Sequence, residues 1–217
     1  KRQVPDPTDG QGMLALNRPE VLLVIGAGQL LGTRRTALHP LGSLDDHAYV
    51  LADAKITTLV IDPTPQFVER AAALVEKVPT LTRVLTLGPV PAELAEVGHD
   101  LVAAAAGFEA RPLVPINLSP DHINGLTYTG GTTGKPKGVI GTSQSILTMT
   151  QIQLAEWEWP DRPKFLMCTP LSHAGAAFFM PTLMKGGSMV VLPKFDAGAV
   201  LAAIEEHKIT ALSLIHI

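Results

Sequence analysis

From Tyr128 to Gly138 the chain reads Tyr-Thr-Gly-Gly-Thr-Thr-Gly-Lys-Pro-Lys-Gly, so four glycines, three threonines and two lysines fall within eleven residues. Glycines carry no Cβ, and a backbone rich in them brings its N–H groups close to an anion. Threonine hydroxyls add donors and lysines add positive charge. The chemistry that needs this combination is the binding of a polyphosphate. An ordinary P-loop is excluded by position. That motif requires Gly, four residues, Gly-Lys and then Ser or Thr, whereas here Thr129 occupies its first position and Pro136 its last. The competing reading is a flexible Gly/Thr surface turn. Two lysines around a proline, directly after an apolar run, argue against it.

Other residues invite chemical readings. Gly26-x-Gly28-x-x-x-Gly32 imitates a dinucleotide fingerprint, but its third glycine is one position late. Asn17 with Glu20 reads as a capping box, which places these glycines inside a helix, where small residues serve close packing. His173 follows an apolar strand in Pro170-Leu171-Ser172-His173-Ala174-Gly175. It is a candidate to line a substrate site, with a structural histidine as the alternative. His39, beside Pro40, reads as structural. Cys168, the single cysteine, sits in an apolar run and reads as an inert core residue in a reducing compartment.

Tyr128 to Val139 resembles the phosphate-loop signature of the adenylate-forming enzymes: acyl-CoA synthetases, luciferases and peptide-synthetase adenylation domains. The usual pattern is Tyr-Thr-Ser-Gly-Thr-Thr-Gly-x-Pro-Lys-Gly-Val, and this chain departs from it at Gly130, where the family has Ser. The likeness extends from about Asn17 to about Ala211. It implies that Thr129, Gly130, Gly131, Thr132, Thr133, Gly134 and Lys137 meet the phosphates of ATP. The threonines would donate, Gly131 and Gly134 would allow backbone approach, and Lys137 would be the catalytic charge-balancing group. The Thr129 hydroxyl would also approach Mg²⁺, while Lys135 stands at the variable position and receives no role. A lost serine hydroxyl at Gly130 corresponds to about 1.5–3 kcal/mol, or roughly 10- to 100-fold in nucleotide affinity if nothing replaces it.

The resemblance also implies a reaction. A carboxylate attacks the α-phosphorus of ATP to give an acyl-adenylate and pyrophosphate, and the thiol of coenzyme A, the co-substrate, then displaces AMP. Holding one anion against another makes this a problem of positioning and charge neutralisation. His173 lies in a Pro-x-x-His turn that the family places near the acyl pocket. That turn and the apolar stretch Ala174 to Met184 favour a fatty acid, and no acidic residue stands beside His173 to hold an amino group. An aryl-acid ligase or a peptide-synthetase adenylation domain are the alternatives within the class. Outside it, the alternative is a truncated, non-catalytic nucleotide-binding protein. The family's Tyr-Gly-x-Thr-Glu stretch, ribose-binding Asp and C-terminal lysine domain do not occur in the 217 residues. The chain is therefore expected to be a fragment of the large N-terminal domain that completes neither half-reaction alone.

The elements that must position these residues can be read in outline. With 46% hydrophobic residues the chain can bury a sizeable core, and a net charge of −3 gives no case for nucleic acid as a partner. No stretch is long enough to be a transmembrane segment, since Val21 to Leu31 is short and interrupted by glycines. No secretory signal follows Lys1-Arg2, so a cytoplasmic location is expected. Strand and helix patterns alternate: a Ser43-capped helix to Asp53, a strand over Thr57 to Ile61, an Ala-rich helix over Pro65 to Val78, and a strand over Arg83 to Leu87. After the phosphate loop come a helix from Thr142, a strand from Lys164, a strand from Ser188, an Asp196-capped helix and a last strand from Ile209. The helix after the loop is expected to share one face among Ile146, Met149, Ile152 and Gln153, with Trp157 following, and to turn it to the core. This alternation predicts an α/β fold with mainly parallel sheets flanked by helices, the partial N-terminal domain of the acyl-CoA synthetase-like fold. Residues 1–12, polar and rich in Pro and Gly, read as disordered or foreign. Residues 13–211 form the partial domain, with a first α/β part over 13–118 and the phosphate loop and second part over 119–211. Residues 212–217 read as a sequencing-adapter artefact.

Overall fold

A computed structural model describes residues 10–112, 116–131 and 134–214. The chain forms two units, one from residues up to Ala15 together with Gly26–Ser143, the other from Leu16–Ile25 together with residues from Gln144 onward. The α/β expectation holds in both.

The first unit is built on a seven-stranded sheet. Strands β1 (Gly10–Leu14), β2 (Arg34–Ala37), β3 (Ile56–Ile61), β4 (Arg83–Thr86) and β5 (Gly98–Asp100) are joined by β6 (Ile123–Gly131) and β7 (Gly134–Thr142), in the order β5-β4-β3-β1-β2-β6-β7. Every pairing is parallel except that of β6 with β7. Helices α2 (Leu44–Asp53) and α3 (Pro65–Lys77) pack on the sheet through a core that includes Leu14, Leu51, Ile56, Leu59, Ile61 and Leu74, all fully buried. Burial of each such side chain is worth about 1.5–3 kcal/mol. The Ser43 hydroxyl caps α2 by accepting from the Asp46 N–H, and Pro65 opens α3 from the first turn, where its missing N–H costs nothing. A short helix α4 (Leu101–Ala106) is capped by Asp100.

Residues Gly10–Gly12, expected to lie outside the fold, are part of β1 near the middle of the sheet, paired with Arg34–Thr36 on one side. Their composition misleads because these glycines are close-packing devices. A Cβ on Gly10 would stand 2.9 Å from the Lys55 carbonyl oxygen, and one on Gly12 would stand 3.0 Å from Leu51 and Leu59.

Helix α1 (Pro19–Leu31) contains Gly26 and Gly28, so the dinucleotide reading is excluded by context. Gly32, the third glycine of that pattern, has φ +69° and ends the helix in a Schellman motif. The Thr33 N–H reaches the Gly28 carbonyl at 3.0 Å and the Gly32 N–H reaches that of Gln29 at 3.4 Å. Asn17 does not cap α1, and Glu20 pairs with Arg18 at 2.8 Å instead.

His39 Nδ1 accepts from the Leu41 N–H at 3.1 Å, and its carbonyl accepts from His47 Nε2 at 2.9 Å, while Arg70 donates to His47 Nδ1 at 3.1 Å and to the Gly42 carbonyl at 2.7 Å. One ring nitrogen donates and the other accepts, so His47 is neutral. Burial, opposed in part by the His39 carbonyl, holds its pKa below the ordinary value.

The second unit carries a three-stranded parallel sheet, β10-β8-β9, made of β8 (Lys164–Met167), β9 (Ser188–Val191) and β10 (Ala211–Leu212). Helix α5 (Ser143–Glu156) enters it, followed later by α6 (Phe179–Met184) and α7 (Ala197–His207). Asp196 caps α7 through the Ala199 N–H. Gly186, with φ +68°, ends α6 where the Lys-Gly-Gly sequence predicts. Cys168 is buried with Leu166, Val200 and Ala203, and burial raises its thiol pKa. Leu212 pairs with Leu166, and Leu214 packs against the same core, while residues 215–217 lie outside the described range.

Helix α5 keeps only part of its expected face. Met149 and Ile152 are exposed, and the buried positions are Thr150 and Gln153. Thr150 can be buried because its hydroxyl donates to the Ile146 carbonyl within the helix, at 3.0 Å.

Candidate phosphate-binding site

The phosphate-loop sequence is not an open loop. It forms the arms of an antiparallel hairpin in which Thr127 faces Val139, Tyr128 faces Gly138, Thr129 faces Lys137 and Gly131 faces Gly134. Alternating Thr, Tyr, Val and Ile residues favour extended backbone on both arms, and this local preference carries the strands further than the glycines imply. Between the last two pairs, Lys135 and Pro136 stand opposite the single Gly130. This is a β-bulge, one of the few places where a strand tolerates a proline.

Cross-strand partners project from the same face, so the pairing puts the Thr129 hydroxyl and the Lys137 ammonium side by side. Both residues are exposed, and Lys137 has no hydrogen-bond or ion-pair partner among the described residues. Gly130, Gly131 and Gly134 supply backbone close to the tip. Thr132 and Thr133, the other expected phosphate donors, lie outside the described residues. The arrangement can offer a hydroxyl and an ammonium to one anion, next to glycine-rich backbone.

The base of the hairpin is fixed from below. Leu126 and Tyr128 of β6 pack against the core between the sheet and α2–α3. The Tyr128 phenol donates to the Asp53 carboxylate at the end of α2. Desolvation and the neighbouring Asp53 charge push the Tyr128 pKa well above that of a free tyrosine. Gly138 is required opposite it, since a Cβ there would come within 3.1–3.3 Å of the Tyr128 ring. At the far end of β6, Asn124 bulges out and donates to the Ser143 hydroxyl at 2.8 Å.

His173 belongs to the second unit. It is exposed at the start of a 3-10 turn, Ala174–Phe178, with its Nδ1 2.8 Å from the Ser172 hydroxyl. Two devices hold this turn. Asn17 clamps it by donating to the Thr169 carbonyl and accepting from the Leu171 N–H, both at 2.9 Å. Phe178, at the other end, stacks on Phe165 with ring centroids 4.9 Å apart, and Trp157 lies 5.9 Å from Phe178. Gly175 is needed within it, because a Cβ would meet the Thr169 carbonyl at 2.7 Å. Asn17, read from the sequence as a helix cap, instead holds the backbone before this turn. Its partners are more than 150 residues away, so no local signal could have found them.

Among the described residues, no group of three or more His, Cys, Asp or Glu side chains is placed to hold a metal ion. No described helix is long and apolar enough to cross a membrane.

A glycine-rich hairpin with a hydroxyl and an ammonium paired across it, on a parallel α/β sheet, agrees with the family resemblance. The chain belongs to the family of AMP-binding enzymes, which matches residues 6–215. Among its relatives, a medium/long-chain-fatty-acid–CoA ligase of Mycobacterium tuberculosis is 68% identical over 204 residues, covering 94% of this chain and 36% of that protein. A feruloyl-CoA synthase of an Amycolatopsis species is 30% identical over 206 residues, covering 94% and 38%. Among solved structures, an amide bond synthetase of Marinactinospora thermotolerans superposes with a TM-score of 0.82 at 31% identity, covering 96% of this chain and 40% of that one. The chain thus spans well under half the length of these relatives.

Proposed function

We propose that the protein to which this chain belongs is an AMP-forming acid–thiol ligase that activates a carboxylic acid with ATP and passes it to coenzyme A. The observation that carries this reading is the pairing of Thr129 with Lys137 across a hairpin whose tip is rich in glycine. In the first half-reaction a carboxylate oxygen bonds to the α-phosphorus while the bond to the β-phosphate oxygen breaks and pyrophosphate leaves. Thr129 donates to the phosphates, backbone N–H groups near the tip do the same, and Lys137 offsets the charge that repels the incoming carboxylate. In the second, the coenzyme A sulfur bonds to the acyl carbon, AMP leaves and the thiol proton is released. The donors on this hairpin suit a phosphate rather than a bare cation. Mg²⁺ would arrive with the nucleotide, where it neutralises phosphate charge, and the Thr129 hydroxyl is the oxygen offered to it.

A fatty acid is the acyl substrate we favour, supported by the 68% identity to a fatty-acid ligase and by the apolar segment that follows His173. His173, held by Asn17 and the aromatic stack, lines the acyl site in this reading. We place the protein in the cytoplasm.

The test is acid-dependent exchange of pyrophosphate into ATP by the complete protein, with saturated fatty acids, aryl acids and amino acids compared at equal concentration. Fatty-acid-dependent exchange, followed by thioester formation when coenzyme A is added, is the expected result. Exchange driven by aryl or amino acids alone would replace the substrate assignment, and no exchange with any acid would remove the ligase reading.

A further inference from the structure

Lys135 stands at the variable position of the phosphate-loop signature, and charge balance at the phosphates is assigned to its neighbour Lys137. The structure nevertheless gives Lys135 a partner. Its ammonium lies over the ring of Tyr49, with Nζ 5.2 Å from the ring centroid. That is inside the range in which a cation is drawn to an aromatic face. Tyr49 is half-buried on α2, packed against the core of the first unit. Four residues on, and therefore on the same face of the helix, Asp53 accepts from the Tyr128 phenol on the other arm of the hairpin. One face of α2 thus holds both arms, β6 through Tyr128 and β7 through Lys135.

We propose that Tyr49 and Asp53 are positioning residues for the phosphate-binding hairpin, and that Lys135 acts as its latch rather than as a phosphate ligand. This rests on the reading of the hairpin as the ATP-phosphate site. The two contacts differ in kind. The Tyr128–Asp53 hydrogen bond involves a charged acceptor and joins β6 just before the Thr129–Lys137 pair, whereas the Lys135–Tyr49 contact holds the bulge of β7 itself. The bulge is what lets Lys135 serve this way, because the extra residue on β7 locally changes where side chains point. The two lysines are thereby separated in function: Lys135 is engaged with α2, and Lys137 remains available to an anion. An unlatched β7 bulge must be positioned by the nucleotide itself, and that cost appears in ATP affinity rather than in the affinity for the acid.

The test is ATP–pyrophosphate exchange by the complete enzyme, with ATP and the acid varied separately. Lys135→Ala and Tyr49→Ala are each expected to raise the KM for ATP about two- to fivefold, the size of an exposed cation–π contact, with the KM for the acid unchanged. Asp53→Asn and Tyr128→Phe are expected to raise it by about tenfold. Tyr49→Phe and Lys135→Arg, which keep the ring and the cation, restore the ATP KM, and the Tyr49→Ala, Lys135→Ala double variant is no worse than either single one. Unchanged ATP KM in Lys135→Ala overturns the proposal, as does an equal loss in Tyr49→Ala and Tyr49→Phe. Lys135 is exposed, so its variants test the latch even where a Tyr49 variant fails to fold. If the unaltered enzyme shows no acid-dependent exchange, the parent reading fails and takes this inference with it. If it exchanges normally and the variants match it, only the latch is lost.

Discussion

Strand β1 and the β6–β7 hairpin are both glycine-rich stretches of one sheet, and they use glycine for opposite ends. In β1, Gly10 and Gly12 exist because neighbouring atoms occupy the space a side chain would need, 2.9–3.0 Å from the missing Cβ. In the hairpin, Gly130, Gly131 and Gly134 follow or precede an exposed threonine and lysine that face each other across the strands. One set excludes volume and serves the core, and the other is the set proposed to meet a ligand. Composition alone is blind to this difference, which depends on what the rest of the chain packs alongside.

Substitutions can break the comparison. The largest effect is expected from Lys137→Ala in the complete protein. It should slow adenylate formation about 10- to 100-fold, the range for one hydrogen bond to a charged group, with an unchanged melting temperature because the residue is exposed. Pyrophosphate release at the normal rate would remove the role assigned to Lys137. Gly12→Val should do the reverse. Overpacking against Leu51 and Leu59 is expected to cost about 1–3 kcal/mol, read as a lower denaturation midpoint. Gly138→Ala sharpens the contrast, since this hairpin glycine is packed like those of β1. It should displace the Tyr128 ring, lowering stability by about 1 kcal/mol and raising the KM for ATP as well. Gly130→Ser should leave the fold unaltered and tighten ATP binding, by up to about tenfold, as measured by calorimetry.

The smallest effects concern pH. Tyr128 has a folded pKa above that of a free tyrosine, so the folded state holds its proton more tightly. Its contribution is complete below about pH 10 and is lost as pH rises beyond that. Tyr128→Phe should flatten the alkaline fall in melting temperature. His47 has the opposite sign. Its folded pKa is depressed by burial, so its contribution is complete above about pH 6.5 and is lost as pH falls below that value. Melting temperatures taken between pH 7 and 5 should fall less steeply in His47→Asn.

Much of the fold was legible because its signals are local. Ser43 and Asp196 announce their helices by capping chemistry, Pro65 opens a helix at its first turn, and the β-branched run before Ile61 reads as a buried strand. Three features were not legible, for physical reasons. Strand β5, Gly98–Asp100, has three residues and no β-branched side chain, so it exists only because β4 pairs with it. Asn17 has the right identity for a cap, but the turn after β8 outcompetes its own helix for the side chain. The hairpin was read incorrectly as a loop, since side-chain types suggest a ligand class while strand register depends on the partner arm. Lys135 illustrates the limit: its only visible attribute is charge, and its role comes from a ring more than 80 residues earlier in the chain.

The position of β7 at the end of the sheet order gives the signature a second consequence, one of colloidal behaviour. Val139 and Ile140 are both exposed on this edge strand, the composition that invites another chain to add on. Two lysines, a bulge and a proline that cannot donate to a ladder precede them along the same strand, and all are features that discourage edge-to-edge association. The residues proposed to meet a nucleotide are thus also gatekeepers against self-assembly, so replacing both lysines and Pro136 together is expected to make this edge prone to association.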